Sequence, residues 1–271
     1  MRFKLLTENK TYRSGIAAEH GLSIYIEADG KKILFDAGAT DMFAENAAAM
    51  NVDLSAVDLA VISHGHYDHT GGFPLFHEIN EKAPIYLRPN GLFPSYDDRG
   101  CTKPTGVKWT PEEKEKMKNR FVFTDDPVWI TDNIVISGNI PADPEHRPSS
   151  VFYCDRGSGL AEDDMDHEQF MAVRESDGII LFSGCSHKGA PGAVEYCRKL
   201  FPGEKIKLLA AGLHLYSADD DEITRVLDKL EAADIAYIMP LHCTGIKAIC
   251  ALKSRSGDRC ITASAGEGYG Y

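Results

Sequence analysis

The most informative stretch of the chain is Ser63-His64-Gly65-His66-Tyr67-Asp68-His69-Thr70-Gly71-Gly72. It follows directly on Leu59-Ala60-Val61-Ile62, a short continuous apolar run that is typical of a buried strand. Three histidines and one aspartate therefore stand together where a strand ends. Imidazole and carboxylate groups bind metals in proteins, and a plain polar turn rarely contains so many of them. The pattern predicts a metal site.

The spacing of these ligands favours two metals. His64 and His66 are two residues apart, so in extended backbone both point to one side of the chain and can bind one metal. Asp68 and His69 follow after the chain bends and can reach a second metal. Paired metals about 3.5–4 Å apart are common in hydrolytic displacement. The mixture of imidazole and carboxylate favours zinc, although iron or manganese also fits, so we expect two divalent metal ions.

Polar groups follow other strand-like segments in the same way. They are Asp36 after residues 32–35, Cys185 and His187 after 178–182, His214 after 207–211, and His242 after 235–239. Helices are expected at residues 41–50, 111–118, 191–200, 218–233 and 244–253, with Ser217 and Thr244 capping the last two. Strands at first and strand–helix alternation later predict an α/β (α+β) sandwich, with sheets inside and helices outside.

Composition narrows the classes of partner. The 271 residues have a formal net charge of -12, which argues against nucleic acid or an anionic membrane and favours a small-molecule substrate. No linker interrupts the chain, so we expect a single domain over residues 1–271. Residues 90–118 are first rich in Gly, Pro, Tyr and Asp and then charged, and we expect them to form an inserted lid.

The seven cysteines are odd in number and show no CxxC spacing. The N-terminal apolar run is too short for a signal peptide, and no run of about 18 apolar residues exists for a membrane span. We therefore expect reduced thiols and a cytoplasmic protein. The sequence does not indicate the oligomeric state.

The segment from Ser63 to Gly72, together with Ile33-Leu34-Phe35-Asp36-Ala37-Gly38, resembles the metallo-β-lactamase superfamily. The resemblance extends from about residue 3 to the C-terminus and implies a four-layer αββα sandwich with the metals at one edge of its two sheets. His64, His66, Asp68 and His69 match the first ligand motif of the superfamily, and His242 matches its last ligand histidine.

A narrower resemblance rests on four further segments. They are Glu19-His20-Gly21-Leu22-Ser23, Gly184-Cys185-Ser186-His187, Gly212-Leu213-His214-Leu215 and Pro240-Leu241-His242-Cys243-Thr244-Gly245. They are similar to a subgroup whose members are often named for 7,8-dihydropterin-6-methyl-4-(ribofuranosyl)aminobenzene-5′-phosphate synthase. The subgroup name implies transfer of a pterin methyl group to an arylamine.

The middle ligands depart from the common pattern of the superfamily. Cys185 stands where an aspartate is usual, and His187 follows two residues later. In one interpretation His187 completes the first metal site, and in the other a Cys185 thiolate binds the second metal; we favour His187. His146 and His167 lie in proline-rich or acidic surroundings and are not expected to be ligands.

The remaining polar candidates have supporting roles. Asp36 is expected to orient a ligand imidazole or to form the turn before Gly38. His214 is expected either to contact substrate or transfer a proton, or to be a core histidine. His20 can approach the metals from the side, whereas His77 is expected on the surface. Cys243 is expected to point away from the site, as a strand neighbour of a ligand does.

These observations lead to three functional hypotheses. The first is a metallohydrolase in which Asp68 handles a proton and His214 or Lys188 stabilises the leaving group. A phosphorylated substrate would then be bound by the lid cations Arg99 or Lys103, or by Arg88. The second is a transferase of the synthase type named above, and the third is a sensor that retains metals without turnover.

Overall fold

The computed structural model describes residues 1–97, 103–143, 145–146 and 150–271, and these residues form sixteen strands and seven α-helices. In chain order the strands are β1 (Arg2–Thr7), β2 (Ser23–Ala28), β3 (Lys31–Phe35), β4 (Leu59–Val61), β5 (Ile85–Leu87), β6 (Ser95–Asp97), β7 (Phe121–Phe123), β8 (Val128–Thr131), β9 (Ile134–Ile136), β10 (Phe152–Asp155), β11 (Leu160–Glu162), β12 (Phe170–Glu175), β13 (Gly178–Ser183), β14 (Ile206–Gly212), β15 (Tyr237–Leu241) and β16 (Gly268–Gly270). The helices are α1 (Met42–Ala49), α2 (Tyr67–Thr70), α3 (Phe73–Ile79), α4 (Pro111–Met117), α5 (Ala190–Leu200), α6 (Asp220–Ala232) and α7 (Ile246–Ser256).

The first sheet has seven strands in the order β16-β1-β2-β3-β4-β5-β7. Strands β2 and β3 form a hairpin, with Asp29 and Gly30 at positive φ in the turn. Strands β3 and β4 are parallel, and Phe35 is paired with Val61 at their ends. Their carboxyl ends therefore lie side by side, and the chain leaves β4 directly into the His-rich segment.

The second sheet has six strands in the order β15-β14-β13-β12-β9-β8. Strands β13, β14 and β15 are parallel neighbours, with Ser183 beside Ala211 and Gly212 beside Leu241. Parallel neighbours end at the same edge of a sheet. The segments that follow these three strands therefore emerge together.

The two sheets pack face to face through an apolar core that includes Phe3, Phe35, Val61, Phe182 and Leu208. The outer face of the first sheet packs against α1 and α3, where Phe43, Phe73 and Phe76 are fully buried. The outer face of the second sheet is covered by α5, α6 and α7 through residues such as Val194, Leu227 and Leu252. Each layer buries its apolar face against another, and the expected αββα sandwich is confirmed.

A third, small sheet covers one side of the strand ends. It consists of β11, β10 and β6, and it joins part of the expected lid, residues 90–118, to residues 152–162. Within the expected lid, α4 belongs to the main body because Met117 at its end is fully buried. Cys101 and the proposed phosphate ligand Arg99 lie outside the described residues.

Two expected helix caps differ in the structure. Helix α6 is capped by Asp219, whose carboxylate accepts a hydrogen bond from Glu222 N at 2.8 Å, rather than by Ser217. The Thr244 hydroxyl does not cap α7; it donates to Leu241 O and accepts from Leu213 N, and so joins two strand ends. None of the helices in the described ranges is long and apolar enough to cross a membrane.

Candidate metal centre

Four turns at one edge of the sandwich hold non-glycine residues in the left-handed region. Asp36, Ser186, His214 and His242 have φ between 46° and 57°. Each lies just beyond the end of a strand, namely β3, β13, β14 and β15. Non-glycine residues in this region are uncommon and are concentrated at functional sites. The sharp turns direct the polar side chains of both sheets toward a common point.

The first group at this edge is formed by His64, His66 and His187. Their ring centroids lie 4.7 to 4.9 Å apart. The Nε2 atom of each ring is buried and has no hydrogen-bond partner among the residues that the structure describes. Burial lowers the pKa of His66 to about 3 and those of His64 and His187 well below the usual range. The three rings are therefore neutral, which is the form of imidazole that binds a metal.

The second group contains Asp68, His69 and His242. His242 Nε2 lies 3.2 Å from Asp68 Oδ2, and His69 Nε2 lies 3.2 Å from Cys185 Sγ. Burial would raise the pKa of Asp68, but contacts with His20 and His242 hold it well below its usual range. Asp68 is therefore a carboxylate, next to nitrogen and sulfur atoms that also bind metals.

Cys185 lies between the two groups. Its sulfur is within 4.8 Å of the ligand atoms of His64 and His187, and also of those of His69 and His242. The sequence left Cys185 and His187 as alternatives, and the structure brings both to the centre. Burial raises the pKa of the Cys185 thiol well above its ordinary value, so its ionisation would require a neighbouring cation.

Asp36 and Ser63 determine the orientation of two ligand rings. Asp36 Oδ2 lies 2.7 Å from His69 Nδ1, and the Asp36 carboxylate also accepts from Ser63 N and Ser63 Oγ at 2.7 Å. Ser63 Oγ in turn lies 2.9 Å from His64 Nδ1. Protons on both Nδ1 atoms satisfy this network and leave the Nε2 atoms to face the centre. Asp36 thus forms the turn and also holds the ring of His69, which the sequence predicts as a ligand.

The charge on His69 depends on the same aspartate. Burial alone would favour the neutral ring, but the Asp36 carboxylate raises the pKa of His69 to about 9. Any cation bound by His69 therefore competes with a proton at Nε2.

The loop after β1 supports the opposite side of the centre. Asn9 Oδ1 lies 2.7 Å from His242 Nδ1, and Glu8 Oε1 accepts from His242 N at 2.8 Å. Asn9 Nδ2 lies 3.2 Å from His20 Nδ1, and His20 Nε2 lies 3.1 Å from Asp68 Oδ2. His20 therefore does approach the site from the side, through Asp68. Sequence reasoning missed Glu8 and Asn9, since a Glu-Asn pair after a strand resembles an ordinary turn.

Sequence reasoning also missed the segment that precedes β12. His167 Nδ1 accepts from Gly65 N at 3.1 Å, and its Nε2 lies 3.2 Å from Asp163 Oδ2. The buried Glu168 carboxylate accepts from the backbone N–H groups of His187 and Lys188. His167 thus lies against the ligand loop in spite of its acidic sequence neighbours, because they belong to a turn that packs onto that loop. His146 has a comparable supporting role, with Nε2 2.7 Å from the His187 carbonyl.

The prediction for Cys243 was wrong. It lies in a 3₁₀ turn, His242–Thr244, rather than in the preceding strand. Its side chain therefore does not follow strand alternation, and its sulfur lies with Cys185 and His214 in a cluster whose ligand atoms are within 4.8 Å of one another. His214 is at the site, with its ring centroid 4.2 Å from that of His187.

The cations expected to bind substrate are mostly engaged elsewhere. Arg88 is buried, and its guanidinium donates to the carbonyls of Thr124 and Asp166 and to the Asp125 carboxylate. Lys188 Nζ donates to Asn139 Oδ1 at 3.0 Å. His77 is half-buried on α3, 2.9 Å from Arg120, and lies outside the centre.

Comparisons with known proteins identify the family of the chain. Residues 17–161 match the family described as the metallo-beta-lactamase superfamily. The 7,8-dihydropterin-6-methyl-4-(beta-D-ribofuranosyl)-aminobenzene-5'-phosphate synthase of Methanocaldococcus jannaschii is 31% identical, over 91% of this chain and 88% of that relative. An uncharacterized protein of the same organism is 32% identical, over 91% of each chain.

Solved structures show the same architecture over the full length. The crystal structure of Tm1679, described as a metal-dependent hydrolase of the beta-lactamase superfamily, is 27% identical with a TM-score of 0.87, and the match covers 100% of this chain and 99% of that one. The metallo-beta-lactamase fold protein YhfI from Bacillus subtilis is 12% identical with a TM-score of 0.59, covering 99% of both chains. The second likeness supports the fold alone.

Proposed function

Since the chain belongs to the metallo-β-lactamase superfamily, we propose that it is a hydrolase that uses two divalent cations, zinc in the first instance, to act on a small molecule. His64, His66 and His187 would hold the first cation. Asp68, His69 and His242 would hold the second, with the Cys185 sulfur between them.

One observation above all supports this proposal. The Nε2 atoms of His64, His66 and His187 are buried and unsatisfied within the described part of the chain, and the His64 ring is held by Ser63 Oγ at its Nδ1 atom. A buried polar atom without a partner costs about 1–3 kcal/mol. Buried nitrogen atoms of this kind are accounted for by a cation bound beside them. The ligand atoms of His64, His187 and Cys185 lie within 4.8 Å of one another, and nitrogen and sulfur donors fit zinc.

Two cations in such a site lower the pKa of a bound water and polarise the group under attack. The protein would supply the proton handling at Asp68. Its Oδ2 atom lies between His20 Nε2 and His242 Nε2, at 3.1 and 3.2 Å. Because these contacts keep Asp68 ionised, its carboxylate can accept the proton that the attacking water loses, and His20 can relay that proton to solvent.

A cavity of about 160 Å³ opens beside His187, and its walls include Phe152, Asp163 and Lys188. The Phe152 ring from the small sheet lies 4.6 Å from that of His66 and 5.1 Å from that of His187. The small sheet would therefore act as a roof that excludes water and admits a small substrate. Lys108 lies over the Tyr67 ring at 3.5 Å and is the cation that we propose for a substrate phosphate.

A second candidate function is supported by the relative whose name gives an activity. That protein is a synthase that makes a pterin–aminobenzene ribotide, and it is 31% identical over most of both chains. In the corresponding reaction the acceptor would be an arylamine rather than water, and the same carboxylate would remove a proton from the attacking nitrogen.

Substrate screens on the zinc-loaded protein test the two candidates. We expect hydrolysis of at least one member of a set of phosphodiesters, phosphomonoesters, lactones and thioesters, with ¹⁸O from labelled water in the product. Condensation of a dihydropterin diphosphate with an aminobenzene ribotide, without that label, would favour the synthase instead.

Matched histidine variants connect the activity to the centre. His66→Gln is expected to lose more than 100-fold in kcat/KM together with bound zinc, because it removes one of three nitrogen ligands. His77→Gln is the control, since His77 lies away from the centre. Equal activity of the two variants would contradict the proposal.

A further inference from the structure

A second cluster of metal-binding side chains lies next to the proposed two-metal centre. The ligand atoms of Cys185, His214 and Cys243 all lie within 4.8 Å of one another. Both cysteines are buried, each with 2% of its surface exposed. No role in the proposed hydrolysis requires Cys243, so the cluster needs an explanation of its own.

The fold brings these three side chains together by a specific arrangement. They follow the adjacent parallel strands β13, β14 and β15. His214 and His242, the residue before Cys243, both have left-handed backbone, which turns the chain sharply at each strand end. Gly212 lies beneath them: a Cβ there would be 2.6 Å from Cys243 Sγ and 3.2 Å from Cys185 Cα. Only glycine leaves room here for the Cys243 sulfur and for the backbone of Gly184 and Cys185.

We propose that Cys185, His214 and Cys243 form a third metal site, which takes zinc or another cation that prefers sulfur. Two sulfurs and one imidazole form a common zinc ligand set, with a fourth position open. Ligand atoms bound to one zinc at about 2.0–2.3 Å are less than about 4.6 Å apart, and every pair of ligand atoms in this cluster lies within 4.8 Å. Both sulfurs bind a cation as thiolates, so any proton held between them is released to solvent when the cation binds.

This assignment gives two residues a new interpretation. His214 becomes a ligand instead of the substrate-contacting or proton-transferring group, or the core histidine, that its sequence position allowed. Cys185 becomes a shared ligand, since its sulfur also lies near His69 and His242. A thiolate that bridges two cations would link occupancy of the third site to that of the second.

Cobalt titration of the metal-free protein tests the proposal, because cobalt bound to thiolate has a charge-transfer band that cobalt bound to nitrogen and oxygen lacks. We expect the wild-type chain to bind about one more equivalent of cobalt than Cys243→Ser, which should keep part of the band through Cys185. His214→Gln should also lose about one equivalent. Cys250→Ser, which removes an exposed cysteine, should match the wild type.

Further measurements separate this site from the two-metal centre. His66→Gln should lose activity and a different equivalent of cobalt, while the thiolate band is kept. Circular dichroism spectra establish that Cys243→Ser and His214→Gln are folded before their titrations are compared. Equal stoichiometry and equal band intensity in wild type and both folded variants would overturn the proposal. A Cys185–Cys243 disulfide in protein purified under reducing conditions would also overturn it.

Discussion

Replacing Asp36 by asparagine tests whether the hydrogen-bond network behind the ligands controls metal binding. The carboxylate accepts from Ser63 N through one oxygen, and its other oxygen faces Ser63 Oγ and His69 Nδ1, all at 2.7 Å. Asparagine has nearly the same shape but only one acceptor oxygen. If that oxygen stays on Ser63 N, the amide nitrogen faces His69 Nδ1, which must then become an acceptor.

The expected loss of zinc affinity follows from the tautomer of His69. In the neutral ring, the form that binds a cation, a proton moved from Nδ1 to Nε2 would point at Cys185 Sγ, 3.2 Å away, and would remove the lone pair that the second cation needs. If the amide flips instead, Ser63 N is left facing a donor, which costs about 1–3 kcal/mol in a buried site. Loss of such a supporting partner weakens metal binding by about 10- to 100-fold, which is about 1.4–2.8 kcal/mol.

Zinc competition against a chromophoric chelator measures this effect. Asp36→Asn should keep one tightly bound zinc on the histidines of the first group and bind the second about 10- to 100-fold more weakly. Asp177→Asn serves as the control, because Asp177 is exposed and pairs with Lys207 at the far end of β13. If Asp36→Asn binds both zinc ions with wild-type affinity, the tautomer argument is refuted.

Three further predictions concern other parts of the molecule. Gly65→Ala should lower the free energy of unfolding by about 1–3 kcal/mol in thermal unfolding, because the new Cβ would lie 2.0 Å from Gly91 O. Gly91→Ala is the control and should be nearly neutral, since its Cβ would have contacts of 3.5 Å or more. Equal effects of the two substitutions would contradict the close approach of the two backbone segments. Asn9→Ala should weaken the second zinc about 10-fold by releasing the last ligand histidine, and an unchanged affinity would argue against that support. Burial raises the pKa of Cys197 to about 12, so peptide mapping at pH 8 should find a thiol reagent on the exposed Cys250 and none on Cys197 until the chain unfolds.

Much of this architecture could be predicted because it depends on local patterns. The apolar run before His64 and the glycines after His69 are contiguous with the ligands, so one segment of sequence contains both the strand and the turn. The role of Asp36 was also predictable, because its carboxylate lies between a strand and a glycine, where it can form a turn or orient a ligand. The helix and strand bounds differ from the expected ones by only a few residues where the apolar period is strong.

The residues that escaped prediction depend on distant contacts or on local departures from regular structure. The direction of the Cys243 side chain was predicted from strand alternation. The strand ends at Leu241, however, and Cys243 lies in the 3₁₀ turn that follows, where alternation no longer applies. His167 accepts a hydrogen bond from Gly65, which lies 102 positions away in the sequence, and no local pattern indicates such a contact. Strand β11 was missed because all three of its residues are exposed, so it lacks the apolar alternation that identifies a strand.

The proposed ligands come from both sheets of the sandwich. His64, His66, Asp68 and His69 follow β4 of the first sheet, whereas Cys185, His187 and His242 follow β13 and β15 of the second. Elsewhere the sheets meet through apolar side chains, whose attraction has little directional preference. Cations bound across this edge would act as cross-links between the halves of the molecule. Free cation at 1,000 times its dissociation constant would add about 4.1 kcal/mol to the stability of the folded state, and a chelator would make the two halves easier to separate.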